Sequence, residues 1–252
     1  MADKNLAIII LAAGQGKRMN NPNLPKVLVE LKQIPLLQYV LVLSMKVQAD
    51  PIISIVGHHR EKVINFLNIF SHKLSNNTLK YAVQAEQLGT GHAVQQSEIL
   101  LNEFNGNVLI LSGDVPLLSE FTITNFLKLH KLSEADLSVL SSIAPNPFGY
   151  GRIVRTKNGD FERIVEEKDA DERIRLIDEI NSGIYLVKKD LLFSSLRLIQ
   201  NENAQGEFYL TDIIEINKKA GKNVQAFNIG KFEEIQGINS QDDLENVAKN
   251  LG

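Results

Sequence analysis

The chain contains no cysteine in 252 residues, which excludes disulfides and thiolate-held metals outright and suits a reducing, cytoplasmic setting. Long apolar runs are missing too. The stretch Leu6 to Ala13 has the length of a secretory core, but Asp3 and Lys4 cancel ahead of it. Cleavage after Ala12-Ala13 would also remove the first strand of an otherwise coherent pattern, so no signal peptide is expected. Gln38 and Ser44 break the next apolar run, and no segment is expected to span a membrane. Neither sign of charge dominates: 27 Lys and Arg face 30 Asp and Glu, a net charge of −3, with no block of like charge. That balance predicts neither a nucleic-acid nor a membrane partner, and any anionic ligand must be met by local cations or a metal. Internal repeats, low-complexity tracts and Pro/Ser-rich linkers are also lacking.

What is present is an alternation of short apolar runs with amphipathic stretches, on a chain long enough for one large α/β domain. Leu6 to Leu11, Ile52 to Val56, Leu79 to Val83 and Val108 to Leu111 read as strands buried on both faces of a parallel sheet. Ile34 to Val47, His59 to His72 and Gly91 to Phe104 read as crossover helices, with Pro35 in a first turn and Thr90 as an N-cap. After a helix at Phe121 to Leu132 come strands at Leu137 to Ile143, Gly151 to Arg155 and Phe161 to Val165, the last two joined by the hairpin signal Asn158-Gly159. Asn181 to Val187, helices near Lys189 to Ile199 and Tyr209 to Ala220, a strand at Val224 to Phe227 and a helix from Gln241 complete the pattern. The predicted fold is a doubly wound, mostly parallel, Rossmann-like sheet flanked by helices, with a small β-rich insertion, in one domain over residues 1–252.

Such a sheet binds ligands beyond the carboxyl ends of its strands, and the unusual residues fall there. Ala12-Ala13-Gly14-Gln15-Gly16 after the first strand lets backbone N–H groups close around a phosphate, with Lys17, Arg18 and Lys26 nearby as mobile cations. A Walker A loop would need Gly at Leu11 and Ser or Thr at Arg18, and a dinucleotide fingerprint would need a small residue at Met19, so neither motif applies. Asp114, in Gly113-Asp114-Val115-Pro116, is a carboxylate at a strand tip. It suits a hard divalent cation that completes its shell with phosphate and water, or else an ordinary Asx turn before proline. Two like charges at ~4 Å repel by about 4 kcal/mol at an effective dielectric of ~20, roughly three powers of ten in rate, so joining two phosphorylated substrates demands such counter-charge. Gln84 opens a loop, Gln84 to Gly91, whose amide can serve uracil or cytosine by flipping. His58, His59 and His92 lack metal-ligand spacing and read as surface or loop histidines.

Taken together, several stretches in order resemble one family. They are Leu11-Ala-Ala-Gly14-x-Gly-x-Arg18-Met19, Pro25-Lys26, Gln84 to Ala93, Gly113-Asp-Val-Pro-Leu117, Tyr150-Gly-Arg-Ile153, Ile164-Val-Glu-x-Lys-Asp169, Glu179-Ile-Asn-x-Gly183 and Asn203-Ala-Gln-Gly-Glu207. The chain is similar to the uridylyltransferase domain of the N-acetylglucosamine-1-phosphate uridylyltransferases, within the sugar nucleotidyltransferases. The resemblance implies a nucleotide-binding half to about residue 118, a sugar-phosphate half over about 119–240 and a C-terminal helix over about 241–250. It implies that Leu11, Ala12, Ala13 and Gly14 line the nucleotide and that Gln84, Gly89 and Thr90 hold its base and ribose. Arg18 and Lys26 would bind phosphates, Asp114 and Asn239 would hold Mg²⁺, and Gly151, Glu166, Asn181 and Thr211 would contact the sugar phosphate. The implied substrates are UTP and a sugar-1-phosphate. Lys17 departs from the usual Thr, and Ser112 stands where relatives often carry Tyr, which widens the pocket. The chain stops at Gly252, so the hexapeptide-repeat acetyltransferase domain and its mode of trimerisation are not expected. Cytidylyl or guanylyl transfer and a non-catalytic nucleotide sensor remain alternatives on the residues alone.

Overall fold

Alternation along the first strand sets the architecture. In β1 (Leu6–Ala12), Leu6, Ile8, Ile10 and Ala12 enter one apolar cluster while Ala7 and Ile9 enter another, so both faces of the sheet are covered. The computed structural model describes residues 5–16, 19, 23–72 and 78–250, which leaves Lys17 and Arg18 outside the described residues.

A 3-10 turn at Lys26–Leu28 leads into a two-stranded hairpin, β2 (Glu30–Leu31) and β3 (Ile34–Pro35), and then α1 (Leu36–Lys46). Pro35 is therefore extended, at ψ 139°, and precedes the helix instead of forming its first turn. Next come β4 (Ile52–Val56), α2 (Arg60–Ser71), β5 (Leu79–Val83) and α3 (Thr90–Gln95). The expected helix from Gly91 to Phe104 breaks early. Ser97 donates its hydroxyl back to the Val94 carbonyl at 2.6 Å, and the chain continues as a 3-10 turn, Glu98–Leu101. Thr90 is the first helical residue and not the cap; Gly89 takes that place at φ 115°.

Beyond these lie β6 (Asn107–Ser112), α4 (Glu120–Leu132), β7 (Leu137–Ile143), the hairpin β8 (Arg152–Arg155) and β9 (Phe161–Val165), and the short α5 (Glu172–Arg175). They are followed by β10 (Glu179–Lys188), α6 (Lys189–Leu196), α7 (Asp212–Lys219), β11 (Val224–Asn228), α8 (Phe232–Ile235) and α9 (Gln241–Asn250). Helix α7 begins three residues later than the pattern suggests, because Tyr209 to Thr211 close three-residue turns ahead of it.

The central sheet runs β11-β7-β10-β6-β1-β4-β5, and only β10 is antiparallel to its neighbours. From β1 the chain steps outward through β4 and β5 and then returns to place β6 on the other side of β1. That reversal opens a crevice beyond the ends of β1 and β6. One face is packed by α1, α2 and α4, the other by α3, α6 and α7. A third, small cluster joins Met19, Val29, Leu31 and Leu36 to Ile238 and Val247, fastening α9 against the segment that follows the first loop. None of the helices among the described residues is long and apolar enough to cross a membrane.

Candidate active site

Two cavities open at the crevice and share a wall made of Leu11, Thr90, Ser112 and Asp114. The outer one, about 460 Å³, is lined by all seven residues assigned above to the nucleotide: Leu11, Ala12, Ala13, Gly14, Gln84, Gly89 and Thr90. Backbone hydrogen bonds hold these loops together. Gly113 donates to the Leu11 carbonyl at 2.9 Å, and His58 donates to that of Ala13 at 3.2 Å. Gly89 has no room for a side chain, since a Cβ there would lie 2.6 Å from the Phe208 oxygen. Gln84 is buried at 3% exposure, its backbone N–H bonded to Val56 and its amide nitrogen 3.0 Å from the Gly89 carbonyl.

At the shared wall a lysine ammonium meets two oxygen acceptors. The Lys26 ammonium donates to Asp114 Oδ2 and, at 2.9 Å, to Asn239 Oδ1. Residues 88 and 213 positions apart from Lys26 thus meet at one point. Both acceptors are aimed. Ser112 donates its hydroxyl to Asp114 Oδ1 at 2.6 Å, and Asn239 Nδ2 donates to the Gly237 carbonyl at 3.0 Å, which turns its amide oxygen to the cation. Ile238 donates to the Asp114 backbone oxygen at 3.0 Å, tying the two segments directly. Burial would raise the Asp114 carboxyl, but the charge and hydrogen bond of Lys26, with help from Ser112, hold it below its ordinary value. One carboxylate and one amide oxygen within reach of the same ion fit a hard divalent cation that keeps other positions for phosphate and water. Among the described residues no group of three or more His, Asp or Glu side chains is placed to hold a metal, here or elsewhere.

The inner cavity, about 220 Å³, carries Glu166, Asn181 and Thr211 together with Asp114 and Asn239. Gly151 stands behind its wall. Its carbonyl accepts from the Asn181 N–H at 2.8 Å, and a Cβ on it would come 3.3 Å from Glu166 Oε2. Asn181 reaches the cavity through a register shift in β10 between Asn181 and Ile184, where Gly183 adopts φ 75°. Its Oδ1 accepts from the Gly183 N–H at 3.0 Å and its Nδ2 donates to the Tyr185 hydroxyl at 2.7 Å. Glu166 accepts from the Thr211 hydroxyl at 3.2 Å. Burial raises its carboxyl against that bond, and the charges of Asp169, Asp212 and Glu207 raise it further. Asp212 is pushed up to about 6, first by burial and then by Glu215 and Asp169.

A family model described as "Nucleotidyl transferase" matches residues 7–234. The chain belongs to the nucleotidyl transferase family. It is 43% identical to the "Bifunctional protein GlmU" of Latilactobacillus sakei over 249 residues, covering 99% of this chain and 52% of that protein. The GlmU of Bacillus subtilis is 41% identical over 239 residues, covering 95% of this chain and 50% of the relative. The chain therefore spans about half the length of the curated relatives it matches. In fold it is similar to a UDP-glucose pyrophosphorylase solved with UDP-glucose, with a TM-score of 0.79 over 97% of both chains at 17% identity.

Several residues of this candidate site carry no signal in the sequence. Tyr185 and Ser182 line the inner cavity because the β10 bulge turns them there, and a bulge is set by strand pairing, not by a motif. His92, expected as a surface or loop histidine, lies in α3 with Nδ1 3.2 Å from Gln84 Nε2. The eight-residue separation crosses a loop, and only folding brings the pair together.

Proposed function

We propose that this chain catalyses uridylyl transfer in the cytoplasm, with UTP and N-acetylglucosamine-1-phosphate giving UDP-N-acetylglucosamine and pyrophosphate. The observation that carries this reading is the Lys26, Asp114 and Asn239 cluster in the wall between two cavities, where two anionic substrates would meet. The half-length kinship with GlmU proteins supports the choice of nucleotide and sugar.

In this reading the outer cavity holds the nucleotide with its phosphates against Gly14 and Lys26, and the inner cavity holds the sugar phosphate against Glu166, Asn181 and Thr211. Asp114 and Asn239 would hold Mg²⁺, which supplies counter-charge to the phosphate oxygens at the point of attack. The sugar-phosphate oxygen is then positioned in line with the α-phosphorus, and pyrophosphate leaves without a covalent enzyme intermediate. Lys26, whose ammonium lies at the same point as Asp114 and Asn239, would offer its charge to the departing phosphates. Glu166 and Asn181 offer acceptors and donors to sugar hydroxyl and amide groups.

The test is a panel of nucleoside triphosphates and sugar or polyol phosphates monitored for pyrophosphate release. Turnover is expected with UTP and N-acetylglucosamine-1-phosphate, and replacing Asp114 with Ala should lower it by about 10³ or more, the effect of one uncompensated charge pair. Nucleotide binding with no pyrophosphate release across the whole panel would sink the proposal.

A further inference from the structure

Gln84 is the residue through which the outer cavity can read a base, and a glutamine amide has two faces of opposite polarity. At positions 3 and 4 of the pyrimidine edge uracil and cytosine are complementary in sign, while the oxygen at position 2 accepts in both. Uracil has a donor at N3 and an acceptor at position 4; cytosine has the reverse. An amide free to turn over accepts either base in the same placement, whereas a held amide accepts only one.

Here the amide is held. Nε2 of Gln84 lies 3.0 Å from the Gly89 carbonyl oxygen, which can only accept, so the nitrogen and not the oxygen must face it. The same Nε2 lies 3.2 Å from His92 Nδ1. Since Nε2 is a donor, Nδ1 must be the unprotonated ring nitrogen, and His92 must carry its proton on Nε2. Both amide hydrogens are thereby consumed inside the protein. Gln84 Oε1 has no protein donor bonded to it among the described residues, and Gln84 lines the outer cavity. The Gln84 amide therefore has only an acceptor left to present.

We infer that His92 is a specificity-determining positioning residue: by accepting the second amide hydrogen it keeps Gln84 Oε1 turned to the cavity as the acceptor for the N3–H of a uracil ring. This rests on the uridylyl-transfer reading above and deepens it. It makes base choice depend on a residue that does not itself line the cavity. His92 sits half-buried in α3, whose first residue, Thr90, is anchored where its hydroxyl accepts from the Leu210 N–H at 3.0 Å. The imidazole is thus carried by a fixed helix start and not by a mobile loop.

The experiment compares kcat/KM for UTP and CTP in the full chain and in two variants. His92→Leu removes the acceptor, and the UTP-to-CTP ratio is expected to fall about five- to tenfold, the size of one neutral hydrogen bond. His92→Asn places an oxygen near the position of Nδ1 and should restore most of the ratio, a rescue that a purely space-filling role would not give. Independently of turnover, ¹⁵N NMR of the native chain should show His92 with an unprotonated Nδ1. A native tautomer protonated at Nδ1, or a His92→Leu enzyme whose UTP-to-CTP ratio is unchanged, overturns this inference while leaving uridylyl transfer intact. If neither nucleotide is used or bound by the native chain, the proposed function itself falls and this inference with it.

Discussion

Lys26 illustrates how a side chain can be structural and chemical at once. It is the counter-charge of a buried carboxylate, with side-chain exposures of 15% for Lys26 and 10% for Asp114. Removing one member of such a pair leaves the other desolvated and unpaired, at a cost of about 3 kcal/mol. Lys26→Met should therefore melt about 6–12 °C lower without divalent metal, and added Mg²⁺ should recover a large part of the loss by taking the place of the ammonium. Thermal melts with and without the ion check this; a variant that is destabilised but indifferent to Mg²⁺ would separate the lysine from the metal site. Asp212 makes a second case. Its carboxyl is raised from 3.8 to about 6, so folding favours the protonated form. That contribution is fully present below about pH 4 and is lost as pH rises through 6, where the folded protein carries a costly charge. Asp212→Asn should melt higher than the native chain at pH 8, with the difference closing by pH 4.

Among the elements, β10 does the most to shape the site. Its ladder to β7 skips between Asn181 and Ile184, and the skip depends on Gly183 at φ 75°. A Cβ there would meet nothing within 4 Å, so Gly183→Ala has only backbone strain to overcome, about 1–2 kcal/mol. The expected result is a folded protein with a raised KM for the sugar phosphate and a nearly unchanged KM for UTP, read from steady-state kinetics. What the sequence discloses at this scale follows from length and burial. Ile52–Val56, Leu79–Val83, Leu137–Ile143 and Phe161–Val165 have the bounds read from the sequence: Ile52–Val56 is buried at every position, as a largely apolar run predicts, and the others are marked by apolar residues set among polar ones and by flanking turns. The hairpin of β2 and β3, together with α5 and α8, spans two to four residues per element and is too short to generate a periodicity. Helix α3 stops early because a serine hydroxyl competes for a backbone carbonyl, which no hydrophobic pattern registers. In the candidate site the glycine-rich loop and Asp114 stand out as composition. The bulge at Gly183 and the pairing of Gln84 with His92 arise only from tertiary placement.

For the whole molecule, the C-terminal helix matters beyond its ten residues. Its start is a capping box: Asp243 Oδ2 accepts from the N–H groups of Asn239 and Ser240, both at 2.9 Å, and Asp243 donates its own N–H to Ser240 Oγ at 3.1 Å. Asn239 is thus fixed from the helix side while its amide faces Lys26. Asp243→Ala should cost about 1 kcal/mol of stability and, more tellingly, weaken Mg²⁺ binding measured by calorimetry, although residue 243 touches no ligand. Unchanged Mg²⁺ affinity would show that the segment from Gly237 to Asn239 holds its shape without the cap.

The union of Asp114 with Asn239 also has a consequence during synthesis. A nascent chain that has emerged as far as Asp114, just past β6, already possesses the glycine-rich loop and the carboxylate, yet it lacks the amide oxygen supplied 125 positions later. While the residues after Asp114 are still being added, Lys26 and Asp114 can close on each other, but the proposed cation site lacks its second oxygen. On the proposed reading, competence to bind the metal is therefore acquired late, when α9 docks on the small cluster beside the first loop.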